Sequence, residues 1–122
     1  MKFERDSPDG RNTFSGYGDG YVQVGAKRYA SSLVVSGERV IEDWPASSVD
    51  ALSADHLAAI VGLAPEIVLL GTGAAFKFPN PALLAPLYKA NIGVEVMDTP
   101  AACRTYNILL AEGRNVVAAL IL

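Results

Sequence analysis

Apolar positions along this chain recur first with a period of two and later with a period near four. Tyr21-Val-Gln-Val24 alternates, with Val22 and Val24 on one face and Tyr21 and Gln23 on the other. Gly25-Ala26 turns the chain into a second stretch, 28–35, rich in Tyr, Val and Leu. Gly37 marks another turn before Val40-Ile-Glu-Asp-Trp44. This spacing predicts a meander of short antiparallel strands. Its approach, Gly16-Tyr-Gly-Asp-Gly20, reads as a loop whose glycines take positive φ.

From Ser47 onward the period lengthens. Ser53 is suited to cap a helix whose stripe is Leu57, Ile60, Val61 and Ala64, with Pro65 ending it. The run 66–70 is almost wholly apolar, the pattern of a strand buried on both faces. Asn80-Pro81 places a capping residue before a proline and opens a second helix with Leu83, Leu84, Leu87 and Tyr88 on its core face. Pro86 inside it predicts a kink or a late start. Gly93 closes that helix, and 94–97 is a short strand. Thr99-Pro100 repeats the device for a third helix, whose core face is Ala102, Cys103, Tyr106, Leu109 and Leu110. Gly113 ends it, and 115–122 reads as a strand buried inside a sheet. Strands followed by α-β-α-β-α-β predict a single α/β domain over 1–122, with helices packed on a central mixed sheet.

Composition narrows the function. The 122 residues are 51% apolar and 19% charged, a globular balance. The ten basic and thirteen acidic residues leave a net charge of −3, and the basic ones are scattered singly, which argues against a nucleic-acid partner. One cysteine, Cys103, permits no internal disulfide, and with the single His56 it is too few for a structural zinc site. The stretch Met1-Lys-Phe-Glu-Arg-Asp-Ser-Pro-Asp-Gly10 lacks the apolar core of a secretory signal and is too acidic for a transit peptide. The longest wholly apolar run, 116–122, is too short to span a bilayer. A cytoplasmic protein without membrane insertion is expected.

Two segments carry the candidate chemistry: Glu66-Ile-Val-Leu-Leu-Gly-Thr-Gly73 and Asp98-Thr-Pro-Ala-Ala-Cys-Arg-Thr-Tyr-Asn107. Each lies where an apolar strand meets small, helix-starting residues, which is where ligand crevices form in open α/β sheets. Gly71-Thr-Gly73 begins like a dinucleotide fingerprint. Phe76 stands at the third glycine position, however, and Pro79 and Pro81 keep a helix from starting at once, so no cofactor is expected. Gly71 and Gly73 instead suit a sharp exit from the strand and a close approach to a neighbour. Asp98 and Thr99 read as helix caps, and the same amino terminus would suit an anion with Arg104 nearby. Cys103 has two readings: a thiol activated by the helix dipole and Arg104, or a buried hydrophobe on the helix's apolar face. His56 carries no assigned role, and Trp44-Pro45 reads as core rather than as an exposed anchor.

Leu70-Gly-Thr-Gly73, Gly93-Val-Glu-Val-Met-Asp-Thr99, Ala102-Cys-Arg-Thr-Tyr-Asn107 and Glu112-Gly-Arg114, followed by the apolar terminus, resemble one family of small domains of unknown function. Its eukaryotic relatives include a mitochondrial respiratory complex I assembly factor and an adipogenesis-associated protein, and its bacterial and archaeal members are uncharacterised. The resemblance implies a three-layer α/β fold, in which a central mixed sheet flanked by helices gains a β-hairpin or meander layer from the N-terminal third. It also implies motif positions at Gly71, Thr72, Gly73, Asp98, Thr99, Cys103, Arg104, Thr105, Tyr106 and Asn107, and no established enzymatic activity.

The expectation is therefore a non-enzymatic interaction or assembly factor. Its crevice lies between the 71–73 loop and the 98–104 helix start and is formed by Gly71, Thr72, Gly73, Asp98, Thr99, Cys103, Arg104 and Asn107. It would contact an unknown protein partner or small ligand, with no cofactor and no metal. The alternative is a small-molecule-binding or thiol-dependent enzyme using Cys103. An edge strand in the N-terminal meander offers a route to a homodimer.

Overall fold

The computed structural model describes residues 10–122, so the targeting expectations for residues 1–9 lie outside it. Strands β1 (Phe14–Gly18), β2 (Tyr21–Val24) and β3 (Lys27–Tyr29) form a three-stranded antiparallel sheet. Strands β4 (Leu33–Ser36), β5 (Val40–Ile41), β6 (Ile67–Thr72), β7 (Gly93–Met97) and β8 (Val116–Ile121) form a second sheet in the order β5-β4-β8-β6-β7. Pairing is parallel for β6 with β7 and β8, and antiparallel for β4 with β5 and β8, so this central sheet is mixed.

The terminal strand β8 sits in the middle, with all six of its residues buried. Its alternate side chains feed two cores. Val117, Ala119 and Ile121 meet helices α1 (Ala54–Val61) and α2 (Ala85–Lys89) on one face. Val116, Ala118 and Leu120 meet helix α3 (Thr99–Ala111) and the three-stranded sheet on the other. A strand with apolar neighbours on both faces must read as a continuous apolar run, as this one does. The three layers and the added β layer match the expected class.

Several local expectations are corrected. The glycine-rich approach is strand β1 up to Gly18, and of its three glycines only Gly20 has positive φ, +75°, in the two-residue turn to β2. The stretch 28–35 is two strands in different sheets, broken at residues 30–32. Alternation reports which face a residue takes but not which sheet a strand joins. Trp44 lies beyond the short β5, buried, with its Nε1 donating to the His56 carbonyl at 3.2 Å. Helix α1 ends at Gly62, and Ala64 is exposed at φ +50° rather than on the stripe.

A 3₁₀ turn, Pro81–Leu84, precedes α2, which is the late start that Pro86 predicts. Leu84 and Leu87 are buried, whereas Tyr88, near the end of the short α2, is 53% exposed and not in the core. Asn91 at φ +59° supplies the left-handed residue beyond α2, and Gly93 belongs to β7, opposite Ile67. At the start of α3 the cap is Asp98, whose Oδ1 accepts from Ala101 N at 2.8 Å. Thr99 is already helical and has another task.

Candidate functional site

Thr99 is buried, and its hydroxyl joins three elements. Oγ1 donates to the Ile121 carbonyl at 2.7 Å and accepts the Gly73 amide at 2.9 Å. The Thr99 amide in turn donates to the Gly73 carbonyl at 2.8 Å. The ends of β6 and β8 are thereby tied to the first turn of α3. Gly71 permits the approach: a Cβ there would stand 2.8 Å from both Leu120 Cδ2 and Thr99 Oγ1, and 3.1 Å from the Thr99 Cα. Gly73, at φ +98°, turns the chain out of the sheet.

Above this junction opens a cavity of about 640 Å³. The segment after β6 leads to α2 on one face of the sheet, and the segment after β7 leads to α3 on the other, so the chain diverges between adjacent parallel strands. Divergence of that kind leaves a crevice beyond the carboxyl ends of the strands. Its floor is Thr72, Gly73, Thr99 and Ile121. The opposing walls come from the β1–β2 turn, with Tyr17 and Tyr21, and from the loop 47–50.

The polar groups of this cavity are largely engaged within the protein. Thr72 Oγ1 donates to the Ala75 carbonyl at 2.7 Å and accepts from Lys77 N at 3.1 Å. Lys77 Nζ reaches the Asp50 carboxylate at 2.8 Å, in an exposed pair at the mouth. Ser48 Oγ accepts from Ala51 N at 3.1 Å, and the Tyr17 hydroxyl accepts from Arg104 Nη1 at 2.6 Å. At the start of α3, Thr99 and Ala101 donate to Gly73 and Asp98, Ala102 donates to the Asp98 carbonyl, and Pro100 has no N–H. The helix end therefore has no amide left to cradle an anion, and the anion-site expectation is corrected.

Of the eight expected residues, Thr72, Gly73 and Thr99 line the cavity, and Gly71 lies beneath it. Asp98 serves as a cap. Cys103 is fully buried among Phe14, Leu69, Tyr106 and other apolar groups, and burial pushes its thiol up to about 12 despite Arg104 beside it. At neutral pH it is a neutral hydrophobe. Arg104 lies on the exposed side of α3 and reaches the Tyr17 hydroxyl. Asn107 stands in for a strand: its Oδ1 accepts from Phe14 N at 2.9 Å and its Nδ2 donates to Phe14 O at 2.8 Å. Beside it Tyr106 donates to the Asn12 carbonyl at 2.8 Å and meets the Phe14 ring edge-on, and burial raises its phenol above the usual tyrosine range. These two residues fasten the outer sheet to α3.

The cavity residues that sequence reasoning missed include the β1–β2 turn from Tyr17 to Tyr21, the loop 47–50, Ala74, Lys77 and the terminal Ile121 and Leu122. They come from segments far apart in the chain, and no local signal marks them. His56, read without a role, completes the cap of α1 by accepting the Ser53 amide at Nδ1, 3.1 Å. Among the described residues no group of His, Cys, Asp and Glu is arranged to hold a metal ion, and no helix is long and apolar enough to cross a membrane.

The model of a family described as "Protein of unknown function (DUF498/DUF598)" matches residues 14–121. A crystal structure of a Bordetella parapertussis protein is 41% identical and superposes with a TM-score of 0.87, over 94% of this chain and 98% of that one. The "13 kDa major membrane protein" of Francisella tularensis subsp. holarctica is 32% identical over 104 residues, 84% of this chain and 85% of its own length. The Bos taurus protein named NADH dehydrogenase (ubiquinone) 1 alpha subcomplex assembly factor 3 is 36% identical over 101 residues, 73% of this chain and 55% of its own length. The chain thus spans about half the length of that assembly-factor relative.

Proposed function

We propose that this chain, which belongs to the DUF498/DUF598 family, is a non-enzymatic interaction or assembly factor that holds a segment of a partner protein in the crevice above Thr99. Two things support this reading. Relatives of the same family are named as assembly factors of a respiratory NADH dehydrogenase. The observation that carries it in the structure is the engagement of Thr72, Tyr17 and Thr99 in bonds within the fold, with Lys77 and Asp50 paired at the mouth, which leaves the crevice better equipped to receive a surface than to drive a reaction. A thiol-dependent enzyme has the burial of Cys103 against it. A cytoplasmic site of action is part of the same proposal, since a single buried cysteine makes no demand for an oxidising compartment.

Affinity capture of the tagged protein from its own cells, beside an Ala74→Trp variant, tests the proposal. Ala74 is exposed on the cavity wall, so an indole there fills the crevice without entering the core. The expected result is a stoichiometric protein partner recovered with the native chain and lost with the variant. The same partner retained by Ala74→Trp would remove the crevice from the interface. Turnover of a small substrate abolished by Cys103→Ala would overturn the non-enzymatic reading.

A further inference from the structure

We infer that the outer edge of β7 is a second protein-contact surface, which takes an extended segment of a partner chain as one more strand of the central sheet, with a lysine or arginine of that segment set against Glu95. No residue of β7 lines the crevice, so this surface goes beyond the proposed function and the two can fail independently.

Strand β7 ends the order β5-β4-β8-β6-β7, so one of its sides has no neighbouring strand. The backbone register fixes which groups lie there. The Gly93 amide donates to the Glu66 carbonyl at 3.1 Å, and β7 runs parallel to β6 with Gly93 opposite Ile67. In such a ladder alternate residues bond the neighbour, so Gly93, Glu95 and Met97 face β6. The N–H and C=O groups of Val94 and Val96 face the other way, and among the described residues no strand or turn bonds them. A row of alternating donors and acceptors is matched by an extended backbone, which names the form of the occupant. The other edges are short or blunted. At β1 the Asn107 side chain bonds Phe14 N and O, β5 has two residues, and β3 has three, of which Lys27 and Arg28 are exposed. The backbone of β7, five residues long, carries no such device.

Side chains select the occupant. Val94 and Val96 are half-buried against the core beneath α1 and α2, and Glu95 is exposed on the opposite face. An added strand is therefore matched by apolar, basic and apolar residues in turn. Glu95 also argues against a second copy. A two-fold antiparallel pair that used Val94 and Val96 of both chains would set Glu95 opposite Glu95, and like charges directly opposed are destabilising. A net charge of −3 repels another copy and attracts a basic segment.

A short peptide of alternating valine and lysine, blocked at both ends, is the probe, and amide exchange at Val94 and Val96 is the readout. Both amides should exchange freely in the chain alone and slow about tenfold or more with excess peptide. Two further peptides carry methyl groups on every valine nitrogen or on every lysine nitrogen. One should fail to bind and the other should bind, because alternate amides of the added strand face β7. Glu95→Lys should weaken the lysine peptide about fivefold or more and favour its glutamate counterpart. Unchanged exchange at Val94 and Val96 in excess peptide overturns the inference, as does an equal response to the two methylated peptides or a Glu95→Lys chain that binds like the native one. Exchange that slows with protein concentration alone would make a second copy the occupant and overturn it as well.

Discussion

Replacing Thr99 by valine keeps the shape of the side chain and removes one oxygen, and that oxygen serves two backbone groups at once. The Ile121 carbonyl loses its 2.7 Å donor, and the Gly73 amide loses its 2.9 Å acceptor. A buried polar group left without a partner costs about 1–3 kcal/mol. Both groups border the cavity, where water can replace part of what is lost, so the low end applies to each. Thr99→Val should therefore destabilise the protein by about 2 kcal/mol, which lowers Tm by roughly 8 °C in a chain of this size. Thr99→Ser keeps the hydroxyl and should recover most of the loss. Asp98→Ala removes the helix cap and should cost about 1 kcal/mol. Urea unfolding supplies the free energies, provided the m-value is unchanged. Amide exchange at Gly73 supplies the local reading, because that N–H should lose protection in Thr99→Val and keep it in Thr99→Ser. A Thr99→Val protein of native stability, with Gly73 still protected, would refute the reasoning.

Other substitutions test other joints of the structure. Gly71→Ala should cost about 2 kcal/mol, since overpacking against the Thr99 backbone outweighs the smaller gain from stiffening the unfolded chain; chemical denaturation measures it, and a neutral result would mean α3 can recede freely. Asn107→Ala should cost about 2 kcal/mol by stripping the partners of Phe14 N and O, with faster amide exchange at Phe14 as its signature. Cys103 should resist thiol reagents at neutral pH in the folded state and react on unfolding. Its folded pKa lies above the unfolded value, so the folded state keeps the proton longer and stability falls as pH rises from about 9 toward 12. Moving the thiol from 9.0 to about 12 corresponds to a loss of about 4 kcal/mol, complete only as the pH passes the folded value. Alkaline unfolding curves that coincide for the native chain and Cys103→Ala, after allowance for the cavity, would refute that assignment.

Much of the fold is legible in the residues. The continuous apolar runs of β6 and β8 mark strands buried on both faces, and the four-residue stripes of α1 and α3 mark helices with one apolar side. These are local signals, because a residue's burial repeats with the period of the element that carries it. The candidate crevice was legible in part. Gly71, Thr72, Gly73 and Thr99 meet at the crevice because the end of a parallel strand and the start of the next helix adjoin in this architecture. Cys103, Arg104 and Asn107 share a segment with them but point elsewhere, since a helix turns its side chains about 100° per residue. Tyr17, Tyr21 and Asp50 reach the cavity from distant parts of the chain.

By itself, then, the sequence determined the kinds of elements, their order, and the faces they bury. Periodicity and capping chemistry are properties of consecutive residues, and they act before any long-range contact forms. Only the tertiary structure decided that β4 and β5 part from the first three strands and pair into the central sheet beside β8. It alone made Thr99 a junction rather than a cap. Those outcomes depend on which surfaces cover one another and on where a hydroxyl finds its partners, and such distances exist only once the chain has closed on itself.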